Sequence, residues 1–272
     1  MEHAITVNTK PKNTSRSFNS LRRLRVLYSD NGFIWMSYFL LYSLSTAIGS
    51  SLKRDMRQRE VQHALPGMNT IARNYEQWQN RDWDDGGEDW TYSVEWKQAL
   101  IDEVMLHYIE PERNILEIGP GSGRWTETLQ KIASRLTLVD LSDHCIELCR
   151  SKFGQFENLE FFVNDGSSLS MVADETIDFI WSFDVFVHIN PADTEKYLME
   201  FARILRPGGR GIIHHPREGG LYGGWRSSMT AKLFATLLRK QGLTLITQFD
   251  SWGEDKQFNL NLHNDMITVF QR

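Results

Sequence analysis

The run NILEIGPGSGRWTETL, Asn114 to Leu129, constrains this chain more than any other stretch. A short apolar segment breaks into a loop carrying Gly119, Gly121 and Gly123 and then resumes with helix-forming residues. A strand ending in such a loop turns its backbone N–H groups, unobstructed by side chains, toward whatever lies over the next helix N-terminus. Further strand-like runs at 114–118, 136–140, 159–163, 177–183 and 209–214 alternate with helix-length segments. Each is a nearly continuous apolar run, the pattern of parallel strands covered by helices on both faces. LTLITQFDSW at 243–252, a polar loop and DMITVFQR at 265–272 then read as a hairpin-like finish.

Glycine-rich strand-to-helix turns serve dinucleotides, phosphates and S-adenosylmethionine alike, so the spacing has to discriminate. A dinucleotide site would place its third glycine where this chain has Arg124, and no Gly-Lys-Ser/Thr follows for a phosphate loop. With Glu117 two residues before the first glycine, the stretch resembles motif I, E-x-G-x-G-x-G, of the class I (Rossmann-like) S-adenosylmethionine-dependent methyltransferases of the small-molecule type.

The resemblance runs from Asn114 to the C-terminus, with its later parts in order. It implies a doubly wound α/β fold: a seven-stranded, mostly parallel sheet with an antiparallel last strand, here preceded by a helical N-terminal cap. It also implies a cofactor site of Glu117, Gly119, Gly121, Gly123, Asp140, Leu141, Asn164, Asp165, Gly166 and Phe183. Asp140, at the end of LTLVD, stands where the family holds both ribose hydroxyls, and a carboxylate can accept from a vicinal diol. Asn164 and Asp165 stand where the family often receives the adenine amino group. The cofactor expected is S-adenosyl-L-methionine, leaving as S-adenosyl-L-homocysteine.

Catalysis of this kind needs a base only when the acceptor must lose a proton, and histidine is the usual one near pH 7. His188 follows the fourth strand, in the loop region where open α/β sheets bind ligands; the same residue equally suits capping of the helix near Asn190 and Pro191. His214 and His215 end the fifth strand and point to opposite faces, so one faces the pocket if the other packs on a helix. Asp184 orients a histidine, binds substrate or closes its turn. No metal is expected, because adjacent strand histidines cannot share an ion and Asp165 and Asp184 do not form an oxygen cluster.

The acceptor is read from two aromatic segments. NYEQWQNRDWDDGGEDWTYSVEW, 74–96, has the placement of a lid, with Tyr75, Trp78 and Trp90 as ligand contacts and Gly86–Gly87 as a hinge. Aromatic faces favour a methylsulfonium cation. The loop HPREGGLYGGWRSSMT, 215–230, offers Tyr222, Trp225 and Arg226, or Arg217, to a substrate and leads to a helix start at Ser227 or Ser228. Arginines there suit an acidic or phosphorylated group.

At 272 residues the chain accommodates one core and an accessory region. The expected division is a flexible tail at 1–20, a cap and lid region at 21–96 and the methyltransferase domain at 97–272. A net charge of −5 argues against a nucleic acid partner. Cys145 and Cys149 read as small buried residues of a reducing compartment. Asn31–Leu52 is uncharged between basic flanks and long enough to cross a bilayer, but six Ser or Thr and two Gly lower its hydropathy. Buried cap helices or a homodimer contact, a membrane-surface helix and a true span all stay open, and the location expected is cytoplasmic with membrane association unsettled. Beside small-molecule methyl transfer stand two alternatives: a nicotinamide-dependent oxidoreductase on a related sheet, and a cofactor-binding scaffold without turnover.

Overall fold

The computed structural model describes residues 15–219 and 226–272, with side chains from Phe33 onward and that of Tyr28. The chain divides into two compact units, Met1–Met56 and Arg57–Arg272. Helix α1, Ser15–His63, takes in residues 15–20, while residues 1–14 of the expected tail lie outside the described residues.

The larger unit is built on one seven-stranded sheet. Its strands are β1 Arg113–Ile118, β2 Ala133–Asp140, β3 Leu159–Val163, β4 Ile177–Ser182, β5 Leu205–Pro216, β6 Thr244–Phe249 and β9 Asp265–Gln271. A two-stranded ribbon, β7 Ser251–Trp252 with β8 Phe258–Asn259, stands apart. The order across the sheet is β3-β2-β1-β4-β5-β9-β6. The pairs among β1 to β5 are parallel, and β9 runs antiparallel between β5 and β6. The doubly wound sheet with an antiparallel last strand is therefore present as expected. The predicted strand at 243–252 breaks at Asp250, after which Ser251 and Trp252 pair with β8 instead.

Alternation along the strands sends neighbours into different cores. Leu138, Trp181 and Ile212 enter one apolar cluster; Val139, Ile180 and Ile213 enter the other. Both faces are thus covered, which is why these strands read as unbroken apolar runs. The covering helices are α2 Ile71–Gln79, α3 Val94–Ala99, continuing through a wider turn to α4 Leu106–Tyr108, α5 Thr126–Ile132, α6 Asp143–Phe153, α7 Pro191–Ile204 and α8 Ala231–Lys240. Local chemistry starts several of them. Asn190 caps α7 by accepting from Ala192 and Asp193 N–H, with Pro191 at the first helical position. Helix α8 starts at Ala231 under a Thr230 cap, three residues beyond the expected Ser228, because Thr230 Oγ1 is the group that accepts from Leu233 N–H.

The strand order reverses beside β1, between β2 and β4, so the carboxyl ends of these strands open a crevice there.

Candidate active site

A cleft of about 1060 Å³, counting the part open to solvent, lies over that crevice. Its floor is the loop after β1. Gly119 donates to Val139 O at 2.8 Å, tying the loop to the end of β2. Gly119, Gly121 and Gly123 all adopt positive φ. Close approach also requires the first two to be bare: a Cβ on Gly119 would meet Val185 at 2.3 Å and one on Gly121 would meet the Trp83 ring at 2.8 Å.

Asp140 is the acid at the rim. Its Oδ2 accepts from Gly121 N–H at 3.3 Å and its Oδ1 from Ser142 N–H at 2.9 Å. Burial pushes its carboxyl up to about 6, and the backbone donors of Ser142, Gly121 and Leu141 pull against that rise. Leu141, Gly166 and Phe183 complete the expected cofactor wall.

Four expected contacts are committed elsewhere. Glu117 is buried beneath the floor, where Oε2 accepts from Thr126 Oγ1 at 2.6 Å; burial pushes its carboxyl up to about 8. Asp165 is exposed and spent on its own turn, accepting from Ser167 N–H at 2.9 Å and Ser168 N–H at 2.7 Å. Asn164 Nδ2 donates to Tyr197 Oη at 2.8 Å, and it is the tyrosine that lines the cleft. Gly123 likewise serves packing against α6 and does not touch the cleft.

The roof is aromatic. Trp78, Trp83 and Trp90 form a cluster with ring centroids 6.0–6.2 Å apart, and Gly86 and Gly87 lie beside it in left-handed turns. Trp83 was not among the expected contacts. Only the fold brings its ring onto Gly121, through a turn whose sequence reads simply as acidic and glycine-rich. Tyr75 points away, half-exposed, with its hydroxyl 3.4 Å from Asp143. It sits on the wrong side of α2 to reach the cleft.

His188 lines the cleft, its ring 5.2 Å from that of Trp78. The other two histidines separate as strand alternation requires. His215 stacks on Phe234 of α8 at 4.1 Å and shares a 2.6 Å hydrogen bond with Thr268 Oγ1. Burial pulls its imidazole down to about 3, which keeps it neutral, and it packs against α8 without lining the cleft. His214 stacks on Phe183 at 4.2 Å, one layer behind the cleft wall.

His214 belongs to a buried ionic chain. Its Nδ1 lies 3.2 Å from Asp184 Oδ1 and its Nε2 lies 3.4 Å from Asp265 Oδ2. Asp184 also pairs with Arg124, and Asp265 receives both Nε and Nη2 of Arg226. Burial opposes charge on the imidazole, but the two flanking carboxylates outweigh it and raise its titration. The Asp184 N–H at 3.1 Å from Nδ1 fits the neutral ring instead; a charge on either side makes the protonated form the better account. Both carboxyls are held below their usual range despite burial, Asp184 by Arg124 and His214, Asp265 by His214 and Arg226. Asp184 keeps this place at a φ of 63°, a left-handed conformation that an L residue adopts at a cost.

Arg124 and Arg226 both line the cleft beside Asp184. Arg124, which occupies the dinucleotide-glycine position, was not among the expected contacts, and its partner Asp184 is 60 residues away in sequence. Tyr222 and Trp225 lie outside the described residues.

Residues 115–209 match the family model described as a methyltransferase domain. Among curated proteins, a demethylmenaquinone methyltransferase of Tropheryma whipplei is 28% identical over 107 residues, 38% of this chain and 43% of that protein. A ubiquinone biosynthesis O-methyltransferase of Coxiella burnetii is 27% identical over 117 residues, 41% of this chain and 49% of that protein. The chain thus spans less than half the length of these relatives. Among solved structures, the N-methyltransferase NodS of Bradyrhizobium japonicum, in complex with S-adenosyl-L-homocysteine, superposes with a TM-score of 0.57 at 19% identity, covering 74% of this chain and 98% of its own. A Haloferax volcanii chain from a complex with the Trm112 methyltransferase activator gives 0.57 at 21% identity, covering 74% and 97%.

Proposed function

We propose that this chain, which has the fold and over 115–209 the domain of the class I S-adenosylmethionine-dependent methyltransferases, methylates an O or N nucleophile, or an activated carbon, of a small-molecule metabolite or natural product. The observation that carries this reading is Asp140: a carboxylate fixed by two backbone N–H groups at the tip of β2, facing a cleft floored by bare glycines.

The residues fit the cofactor. Asp140 offers acceptor oxygens to a ribose diol, Gly119 and Gly121 allow backbone approach, and the tryptophan roof offers ring faces to a sulfonium. S-adenosylmethionine supplies an already activated methyl group, so the protein's task is to hold an acceptor close and collinear. His188, on the cleft wall, takes the proton from a hydroxyl acceptor; a neutral amine needs no such help. Asp184, anchored by Arg124 and His214, fixes the polar end of the cleft where the acceptor lies. The nicotinamide alternative finds no support in the matched domain or in Arg124 at the glycine position.

Asp140→Ala and Gly121→Val are each expected to weaken S-adenosyl-L-homocysteine binding at least tenfold, about 1.4 kcal/mol, by calorimetric titration. Wild-type affinity is expected to fall as pH drops through about 6, where Asp140 takes up a proton and loses an acceptor site. Unchanged affinity in both variants would place the cofactor elsewhere. Mass spectrometry of a metabolite extract incubated with deuteromethyl-labelled cofactor identifies the acceptor. His188→Ala should leave the cofactor affinity intact and cut turnover of a hydroxyl acceptor about 10²–10⁴-fold, the usual contribution of a general base; an unaltered kcat removes it from that role.

A further inference from the structure

We propose that Phe33–Leu52 of α1 spans a lipid bilayer and anchors the chain to it. The inference is independent of the methyl-transfer reading.

The segment has the right length. Its 20 residues, at about 1.5 Å per residue, extend about 30 Å, the thickness of a hydrocarbon core. No charged residue occurs between Asn31 and Leu52.

Exposure distinguishes a bilayer from the other occupants. Phe33, Ile34, Tyr38, Leu41, Tyr42 and Leu44 are 58–73% exposed. At about 100° per residue these six side chains fan across about half of the helix circumference, and the exposed Leu40 and Trp35 widen that arc beyond half, more than a single packing stripe. Among the described residues of this segment only Met36 is buried. A second copy of the chain would cover one face and leave the others in water. A surface-lying helix needs a polar face, and α1 has none between residues 33 and 49 that is charged. A surrounding apolar solvent covers the whole of that arc.

The hydroxyl groups that lower the hydropathy are already satisfied within the helix. Ser37 donates to Phe33 O at 2.9 Å and Ser43 to Phe39 O at 2.7 Å. Ser45 and Thr46 both donate to Tyr42 O at 2.8 Å. Such back-bonding satisfies these four hydroxyl donors within the helix itself. Ser50 and Ser51 fall at the end of the segment, next to Lys53 and Arg54, and Arg22, Arg23 and Arg25 precede its other end. Cationic flanks at both ends match anionic headgroups.

The test uses the full chain expressed in bacterial cells. The protein should sediment with membranes, stay there through high-salt and alkaline carbonate washes, and leave only in detergent. Release by salt or carbonate would mean surface contact and would overturn the span. Recovery without detergent as a monodisperse oligomer would identify a second copy as the occupant and overturn it equally. The double variant Leu41→Arg/Leu44→Arg should abolish carbonate-resistant sedimentation. Because that variant can fail by aggregating, the purified wild-type chain is also mixed in detergent with phosphatidylcholine and phosphatidylglycerol, the detergent is removed, and the vesicles are floated on a density gradient in high salt. Co-flotation is expected, and a protein left at the bottom sinks the proposal.

Discussion

Asp265→Ala is expected to destabilise the larger unit by about 3–5 kcal/mol, the usual cost of removing one partner from a buried ion pair. For a unit of this size that is a fall of roughly 6–20 °C in thermal midpoint. Asp265 is 1% exposed and serves two cations at once, Arg226 through Nε and Nη2, and His214 through Nε2. Alanine leaves the Arg226 guanidinium without its carboxylate and His214 with Asp184 alone. The double variant Asp265→Ala/Arg226→Ala should recover part of the loss, since the guanidinium then no longer has to be buried alone.

The same chain of charges gives a pH dependence of known sign. Asp184 and Asp265 have depressed folded values, so their contribution is present above the unfolded value of about 3.8 and drains away as pH falls through the folded values. His214 has a raised folded value, so its contribution is complete below about 6.5 and is lost as pH rises through the folded value. The deficit of Asp265→Ala should therefore be greatest in mildly acidic solution, between about pH 4 and 6.5. Midpoints of the two proteins measured across that range check it; a deficit that is flat with pH would detach His214 from the network.

Gly123→Ala should cost about 2–5 kcal/mol, combining a left-handed conformation at about 1–2 with overpacking at about 1–3. Gly123 has a φ of 92°, and a Cβ there would lie 2.2 Å from the Phe153 ring, which is buried in α6. Gly86 provides the comparison: its φ is 69°, but an added Cβ would meet nothing within 4 Å. Gly86→Ala should lose only the conformational part, about 1–2 kcal/mol. Equal midpoints for the two alanine variants would show that α6 gives way without cost.

The contrast between these glycines shows where sequence reading stops. GPGSG announces a close approach to something, but it does not say that Gly119 and Gly121 face the cleft while Gly123 faces Phe153. Similarly, Asp165 falls at the position where the family often receives adenine, yet Ser167 and Ser168 follow closely enough to capture its carboxylate in a local turn. Short-range hydrogen bonds of this kind compete with ligand contacts, and a linear motif does not weigh them.

The sequence by itself determined the parallel strands and the glycine loop, because apolar periodicity and glycine spacing act over a few residues, while the antiparallel finish and the place of Asp140 followed from the resemblance to the methyltransferases. It also determined that His214 and His215 part company, since strand alternation leaves no choice. Only the tertiary structure decided that His214 lies between Asp184 and Asp265, that Arg124 and Arg226 close the chain of charges, that Trp83 rests on Gly121, and that large apolar side chains between Phe33 and Leu52 of α1 are exposed. Asp184 and His214 are 30 residues apart, and Arg226 and Asp265 are 39 apart. Asp184 and His214 meet because the parallel crossover sets the carboxyl ends of β4 and β5 side by side, and Asp265 joins them because antiparallel β9 starts opposite the end of β5; no periodicity within the chain records that meeting.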